Sequence, residues 1–210
     1  MNGFAGSTVD FTAMKDGTRE EYEFLDGFER QFAAGTAERI LQALAALDDS
    51  IGGYKITRLG HSLQSGIRAW RDGADDDWVV SALLHDIGDT LAPWNHAAIA
   101  ADVLKPFVRE QCTWTVWAHG DFQKLYYAHH LGGNPMSREK HAGHAYFDDC
   151  HEFCERWDQS SFDPDYDTPG IDFFAPMVER VFARKANDPA VIRAGEREPL
   201  VVPEVAATRR

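Results

Sequence analysis

A histidine followed directly by an aspartate, His85-Asp86, ends the apolar run Ser81-Ala82-Leu83-Leu84. A carboxylate carried toward a core must be paired with a cation or bound to a metal. An imidazole and a carboxylate side by side at such a place therefore form a pair of potential metal donors. Taken alone, the dipeptide reads better as the polar end of a surface helix. Two further residues change that reading. His61 lies on the preceding helical stretch, which a short turn can fold back antiparallel to the first. Asp158 closes a stretch whose apolar residues Phe147, Cys150, Phe153, Cys154 and Trp157 share one side. Three core-facing positions thus carry His or Asp, and metal binding is expected.

A second set extends the first. His96 follows Trp94-Asn95, and His119 follows Trp114-Thr115-Val116-Trp117-Ala118. Either histidine alone could simply bond a backbone carbonyl in a core. Near His85-Asp86 in sequence, ligation becomes the favoured reading. Asp86 is then expected to bridge, with one oxygen toward a metal held by His61, His85 and Asp158 and the other toward a metal held by His96 and His119. An imidazole and carboxylate set without thiolate suits iron, manganese, cobalt or zinc. Within Tyr126-Tyr127-Ala128-His129-His130, one histidine is a candidate for the pocket wall. His141, His144 and His151 read as structural or surface residues.

The elements that must position these residues are helical. Apolar residues recur at helical spacing over 35–47, 56–72 and 77–86, the last behind the capping run Asp75-Asp76-Asp77. Asn95 is an expected N-cap for a helix through Ile99, Val103 and Phe107. Further helices are expected over 112–118, 122–130, 145–157 and 172–183, with a loop over 159–170. No repeat and no sustained strand alternation is present, so the fold class is all-α. The expected organisation is a flexible arm over 1–18, a helical bundle over 19–185, and a C-terminal tail over 186–210 that lacks periodicity and is expected to be disordered.

Composition limits the partners. A formal charge of -13 argues against nucleic acid, whose phosphates need clustered Lys and Arg, and against anionic membrane surfaces. Cys112, Cys150 and Cys154 are too few, and odd in number, for a disulfide framework. Cys150 and Cys154 read as buried thiols rather than as a zinc or redox pair. No signal peptide or membrane-length apolar run is evident, so a cytoplasmic location is expected.

The order His61, His85-Asp86, Asp158 resembles the HD superfamily of metalloproteins. Many two-metal phosphohydrolases of that superfamily carry a lysine three residues after the aspartate; here that position is Asp89. The chain is more similar to the mixed-valence diiron oxygenase branch, which includes myo-inositol oxygenase and phosphonate-cleaving dioxygenases. The resemblance covers roughly residues 54–158 and rests on His61-Ser62-Leu63-Gln64, Leu83-Leu84-His85-Asp86-Ile87-Gly88, Trp94-Asn95-His96, His119 and Trp157-Asp158. It implies an HD-domain helical bundle, two iron ions (Fe2+/Fe3+), and O2 acting on a small zwitterionic organophosphonate. The implied substrate is a 1-hydroxy-2-(amino or trimethylammonio)ethylphosphonate, cleaved to a carboxylate and phosphate. On that basis Arg58, Lys124 and Arg156 are candidate phosphonate holders, with Gln64 and His129 on the substrate side. Asp89, with Trp94, Trp117, Phe122, Tyr126 and Tyr127 close in sequence, is a candidate to hold an ammonium group. Tyr54, after Gly52-Gly53, is a candidate gate at the O2 position, although no glutamate aligns beside it. A metal-dependent phosphohydrolase and a non-catalytic, metal-stabilised binding protein are the alternatives.

Overall fold

The computed structural model describes residues 7–209, and these form an all-α bundle. In chain order the α-helices are α1 (Arg19–Ala34), α2 (Thr36–Ala45), α3 (Arg58–Arg71), α4 (Asp76–Leu84), α5 (His96–Leu104), α6 (Glu110–Tyr127), α7 (Phe147–Phe153), α8 (Ile171–Phe182), α9 (Pro189–Ile192) and α10 (Pro203–Ala206). The expected arm over 1–18 falls partly on residues 1–6, outside the described residues; its last residue, Thr18, caps α1.

Antiparallel α3 and α4 form the centre. The start of α3 is fixed by Thr57, whose hydroxyl accepts from the Gly60 N–H, and that of α4 by Asp75, which accepts from Trp78. Helix α4 is apolar around its whole circumference and is buried from Asp77 to Leu84, as a helix packed on several sides must be. Helices α3, α6 and α8 pack around it. Gly66 of α3 lets α8 approach closely, because a Cβ there would lie 2.9 Å from the Phe174 ring. Buried Arg109, just before α6, pairs with Asp75 and Asp77, and Arg184 after α8 also reaches Asp77. These charges tie the N-terminal end of α4 to both neighbours.

Three expectations change. The two helices expected over 112–118 and 122–130 are one continuous α6, followed by a 3-10 turn at Ala128–Leu131. The interior Gly120-Asp121 does not break it, because apolar residues on both sides bury against α5 and α7. Helix α1 adds to the expected elements: Phe24, Phe28 and Phe32 recur at helical spacing along it, and Thr18 with Glu21 forms its capping box. The tail expected to be disordered is docked. The Gln111 amide exchanges two hydrogen bonds with the Glu198 backbone, Arg197 pairs with Asp149, and Leu200 is buried. Its anchors are side-chain to backbone bonds, which need no periodicity.

The tail crosses the turn between α3 and α4 at Gly73, which has φ +84°; a Cβ there would lie 2.3 Å from the Val202 carbonyl oxygen. Gly73→Ala is therefore expected to cost about 1–2 kcal/mol in backbone strain alone and to release the tail. Denaturant unfolding checks the loss of stability, and faster proteolytic clipping after Arg197 checks the release.

Candidate metal centre

Four histidines and two aspartates meet where α3, α4, α5 and α6 converge. His61 sits in the first turns of α3. His85 and Asp86 follow α4 directly, in a tight turn closed by Ile87 N–H to Leu84 O and Asp89 N–H to Asp86 O. His96 opens α5 and His119 lies within α6. Gly88 allows the turn to press on His96, since a Cβ there would lie 2.7 Å from the His96 carbonyl oxygen. Asp158 is delivered by a π-helical turn, Cys154–Asp158, closed by Gln159 N–H to Cys154 O at 3.0 Å. The extra residue in that turn lets Trp157 and Asp158 both face inward, an arrangement often found at functional sites.

The rings share one orientation rule. Nδ1 of His61 lies 2.9 Å from Ser161 O, that of His85 2.7 Å from Ala82 O, that of His96 2.9 Å from Pro93 O, and that of His119 2.6 Å from Val116 O. A carbonyl only accepts, so each Nδ1 carries the proton and each Nε2 turns a lone pair inward. Asp86 divides its two oxygens between them. Oδ2 lies 3.6 Å from His61 Nε2 and 3.5 Å from His85 Nε2; Oδ1 lies 3.3 Å from His96 Nε2 and 3.4 Å from His119 Nε2. Asp158 Oδ1 adds contacts of 3.3 Å to His61 and 3.5 Å to His85.

This cluster fits cations. His61 and His85 bring their Nε2 atoms to 3.1 Å, a separation that two bare lone pairs cannot hold without a proton or an ion between them. Asp158 Oδ2 is buried without a hydrogen-bond partner. His61, His85 and Asp86, and likewise Asp86, His96 and His119, present donor atoms close enough together to hold an ion. The buried His/Asp groups can thus hold metal, and the divided carboxylate links the two groups.

Without metal, protons take that place. Burial penalises the His85 imidazolium, but the Asp86 and Asp158 carboxylates more than offset this and push His85 up to about 9. Burial alone would raise both carboxyls; the surrounding histidines, His85 foremost, instead hold Asp86 and Asp158 well below the carboxylate range.

A cavity of about 330 Å³ opens onto the cluster. Asp86, His96, His119 and Asp158 face it, whereas His61 and His85 do not line it. Its other walls include Arg58, Gln123, Tyr126, Tyr127, Tyr54 and Phe162. The Phe162 ring stacks on His61 at 4.4 Å, and Tyr54 stacks on Phe162 at 5.0 Å. Arg58 pairs with Asp86 at 3.3 Å and Asp89 at 3.0 Å.

All six expected ligands are brought together, as are Arg58 and Tyr54. Asp89 also lies beside the cluster, whereas Gln64, Lys124, Arg156 and His129 are not brought to it. The Gln64 amide is used on the backbone of Asp163. Lys124 pairs with Asp121, and Arg156 with Glu152 and Asp72. His129 is exposed beside His130 and lies outside the cavity. Asp89 is occupied by Arg58 and by His96 Nδ1 at 3.3 Å, leaving no free carboxylate for an ammonium group in this cavity. Of the aromatics, Tyr126 and Tyr127 line the cavity, but Trp94 is fully exposed, Trp117 lies elsewhere, and Phe122 is core. Phe162, Gln123 and Gln159 were missed. Phe162 and Gln159 lie within four residues of Asp158, which was the one available signal.

No protein-family model matches the sequence, and no curated protein is significantly similar to it. Among the described residues no helix is long and apolar enough to cross a membrane.

Two measurements test the centre. Below pH about 9 an incoming metal must displace the His85 proton, so metal affinity is expected to rise about tenfold per pH unit and level off above 9. His85 also contributes stability to the metal-free chain that is full below its ordinary value of 6.5 and lost as pH rises through about 9; the thermal midpoint of the metal-free chain, unlike that of the loaded one, should fall across that window. Gly88→Ala should displace His96 and lower metal content from two ions toward one, read by elemental analysis.

Proposed function

We propose that the chain is a two-metal oxygenase of the HD type. On this reading it holds an iron pair and oxidises the hydroxyl-bearing carbon of a small phosphonate. The observation that carries the two-metal part is the divided Asp86 carboxylate, with one histidine pair on each oxygen. Sharing a carboxylate keeps two ions close enough to act on one substrate. The oxygenase part draws on the resemblance noted above, on Asp89 standing where hydrolases of this type carry lysine, and on Tyr54 at the cavity wall beside the cluster.

The two halves are unequal. His61, His85, Asp86 and Asp158 offer four donors to one ion, while Asp86, His96 and His119 offer three to the other. An ion held by Asp86, His96 and His119 would lie beside the cavity that all three of those residues line. An iron pair, when bound, would polarise the substrate oxygens and exchange electrons with O2. The protein contributes binding and orientation. Two ligand carboxylates only partly cancel the charge of two metal ions, so an anionic substrate is favoured. Arg58, already paired with Asp86 and Asp89, presents the remainder of its guanidinium on the cavity wall, where it would meet a phosphonate oxygen. Gln123 lines the cavity with an amide nitrogen that has no hydrogen-bond partner among the described residues. Tyr54 and Phe162 cover the His61 side and keep water from it. The overall reaction consumes one O2, placing one oxygen atom in the carboxylate and one in the phosphate; no external reductant is needed.

A second reading, hydrolysis of a small phosphate ester, is favoured by the same Arg58, which restores a cation that Asp89 does not provide. The deciding experiment gives the iron-loaded chain 1-hydroxy-2-aminoethylphosphonate or its trimethylammonio form and follows dissolved O2 and released phosphate. One O2 consumed per phosphate is expected. Phosphate release from simple esters under argon with manganese, and no O2 uptake with either phosphonate, would replace oxidation by hydrolysis.

A further inference from the structure

Three of the four inward-facing histidines are held in the same way. His61, His85 and His119 each present Nδ1 to a backbone carbonyl, and among the described residues no carboxylate is within ion-pair distance of those nitrogens. His96 differs. Its Nδ1 lies 2.9 Å from Pro93 O and also 3.3 Å from Asp89 Oδ1. Asp89 has a largely buried side chain, is three residues from Asp86, and its other oxygen lies 3.0 Å from Arg58 Nε as an ion pair without a hydrogen bond. His96 is also the most exposed of the four rings, 26% against 3% or less for the others. It therefore has the least packing to fix its orientation.

We infer that Asp89 is a positioning residue for the second metal, orienting His96 through Nδ1 and strengthening Nε2 as a donor, so that it sets the affinity of the His96–His119–Asp86 half alone. A carboxylate on the far nitrogen of a ligating imidazole fixes the tautomer and makes the ring more basic, and losing such a partner typically lowers metal affinity by about 10- to 100-fold. The half with three donors has the most to gain from it, having no counterpart of Asp158. The Arg58 pairing serves the same end, holding the Asp89 carboxylate in register with the ring. Asp89 thus takes part in metal binding from behind the ligand rather than in substrate binding from the cavity.

The inference rests on the two-metal reading and not on the identity of the substrate. The test is titration of the metal-free full chain with Co2+, read by visible absorption, and with Zn2+, read by calorimetry. Wild-type chain should take up two ions in separable steps; uptake of fewer than two overturns both the two-metal reading and this inference. In Asp89→Ala the weaker step is expected to lose about 10- to 100-fold in affinity, while the tighter step changes less than about twofold. The Co2+ absorption of the second ion should shift as well. Asp89→Asn keeps an oxygen acceptor without the charge and is expected to lose less. Asp89→Asn is close in shape to the native residue and keeps the test valid if Asp89→Ala folds poorly; its smaller loss should again fall on the second step alone. Equal weakening of both steps, or an unchanged second step in both variants, would falsify the assignment.

Discussion

A buried imidazole that donates from one nitrogen has only a lone pair to offer from the other, and four rings in this protein obey that constraint together. Their Nδ1 protons go to the carbonyls of Ser161, Ala82, Pro93 and Val116, and their Nε2 atoms converge on Asp86 and Asp158. Converging lone pairs and carboxylates in a dry interior repel one another unless protons or metal ions lie between them. The rest of the bundle must resist that repulsion. Three of the four acceptors lie three residues before their histidine, so the local backbone at the end of α4, before α5 and within α6 meets those rings, with Asp89 as a second contact for His96. The fourth, Ser161 for His61, is supplied from 100 residues away and depends on the tertiary fold.

The long connection is secured along one side of α3. His61, Gln64, Arg68 and Arg71 follow helical spacing and hold, in order, Ser161, Asp163, Ser160 and Asp167. Arg68 and Arg71 also lie over the Tyr166 ring. The loop so fastened follows Asp158 and carries Phe162 onto His61. A ligand, its orienting carbonyl and a cavity wall therefore move as one unit. The Trp157 indole, next to Asp158, donates to Asp72, whose backbone carbonyl in turn receives the docked tail at Val202. The C-terminal segment thus braces the same corner from outside.

The two halves of the cluster are built to different standards. Around His61 and His85 everything is buried, and Asp158 completes the donor set. Around His96 and His119 the cavity reaches the donors, the ring of His96 is partly exposed, and Arg58 and Asp89 stand between the turn and the cavity wall. A closed half can hold an ion structurally, while an open half leaves coordination positions for ligands. That asymmetry is the feature on which the proposed enzymatic reading rests.

The sequence by itself determined the helical class and singled out the six His and Asp residues that the fold brings together. Helical periodicity and an aspartate following a histidine at the end of an apolar helix are local signals, and a buried carboxylate has few alternatives to a cation. It also carried the Thr18–Glu21 capping box, a signal of fixed spacing. Only the tertiary structure decided where the remaining polar residues spend their hydrogen bonds. Gln64, Lys124, Arg156 and Asp89 all looked available for a substrate, because a one-dimensional reading cannot show that Asp163, Asp121, Asp72 or His96 comes to meet them. The π-helical turn before Asp158 and the docking of the tail were hidden for a related reason. Both depend on packing and on side-chain to backbone bonds across the fold, which leave no period in the chain.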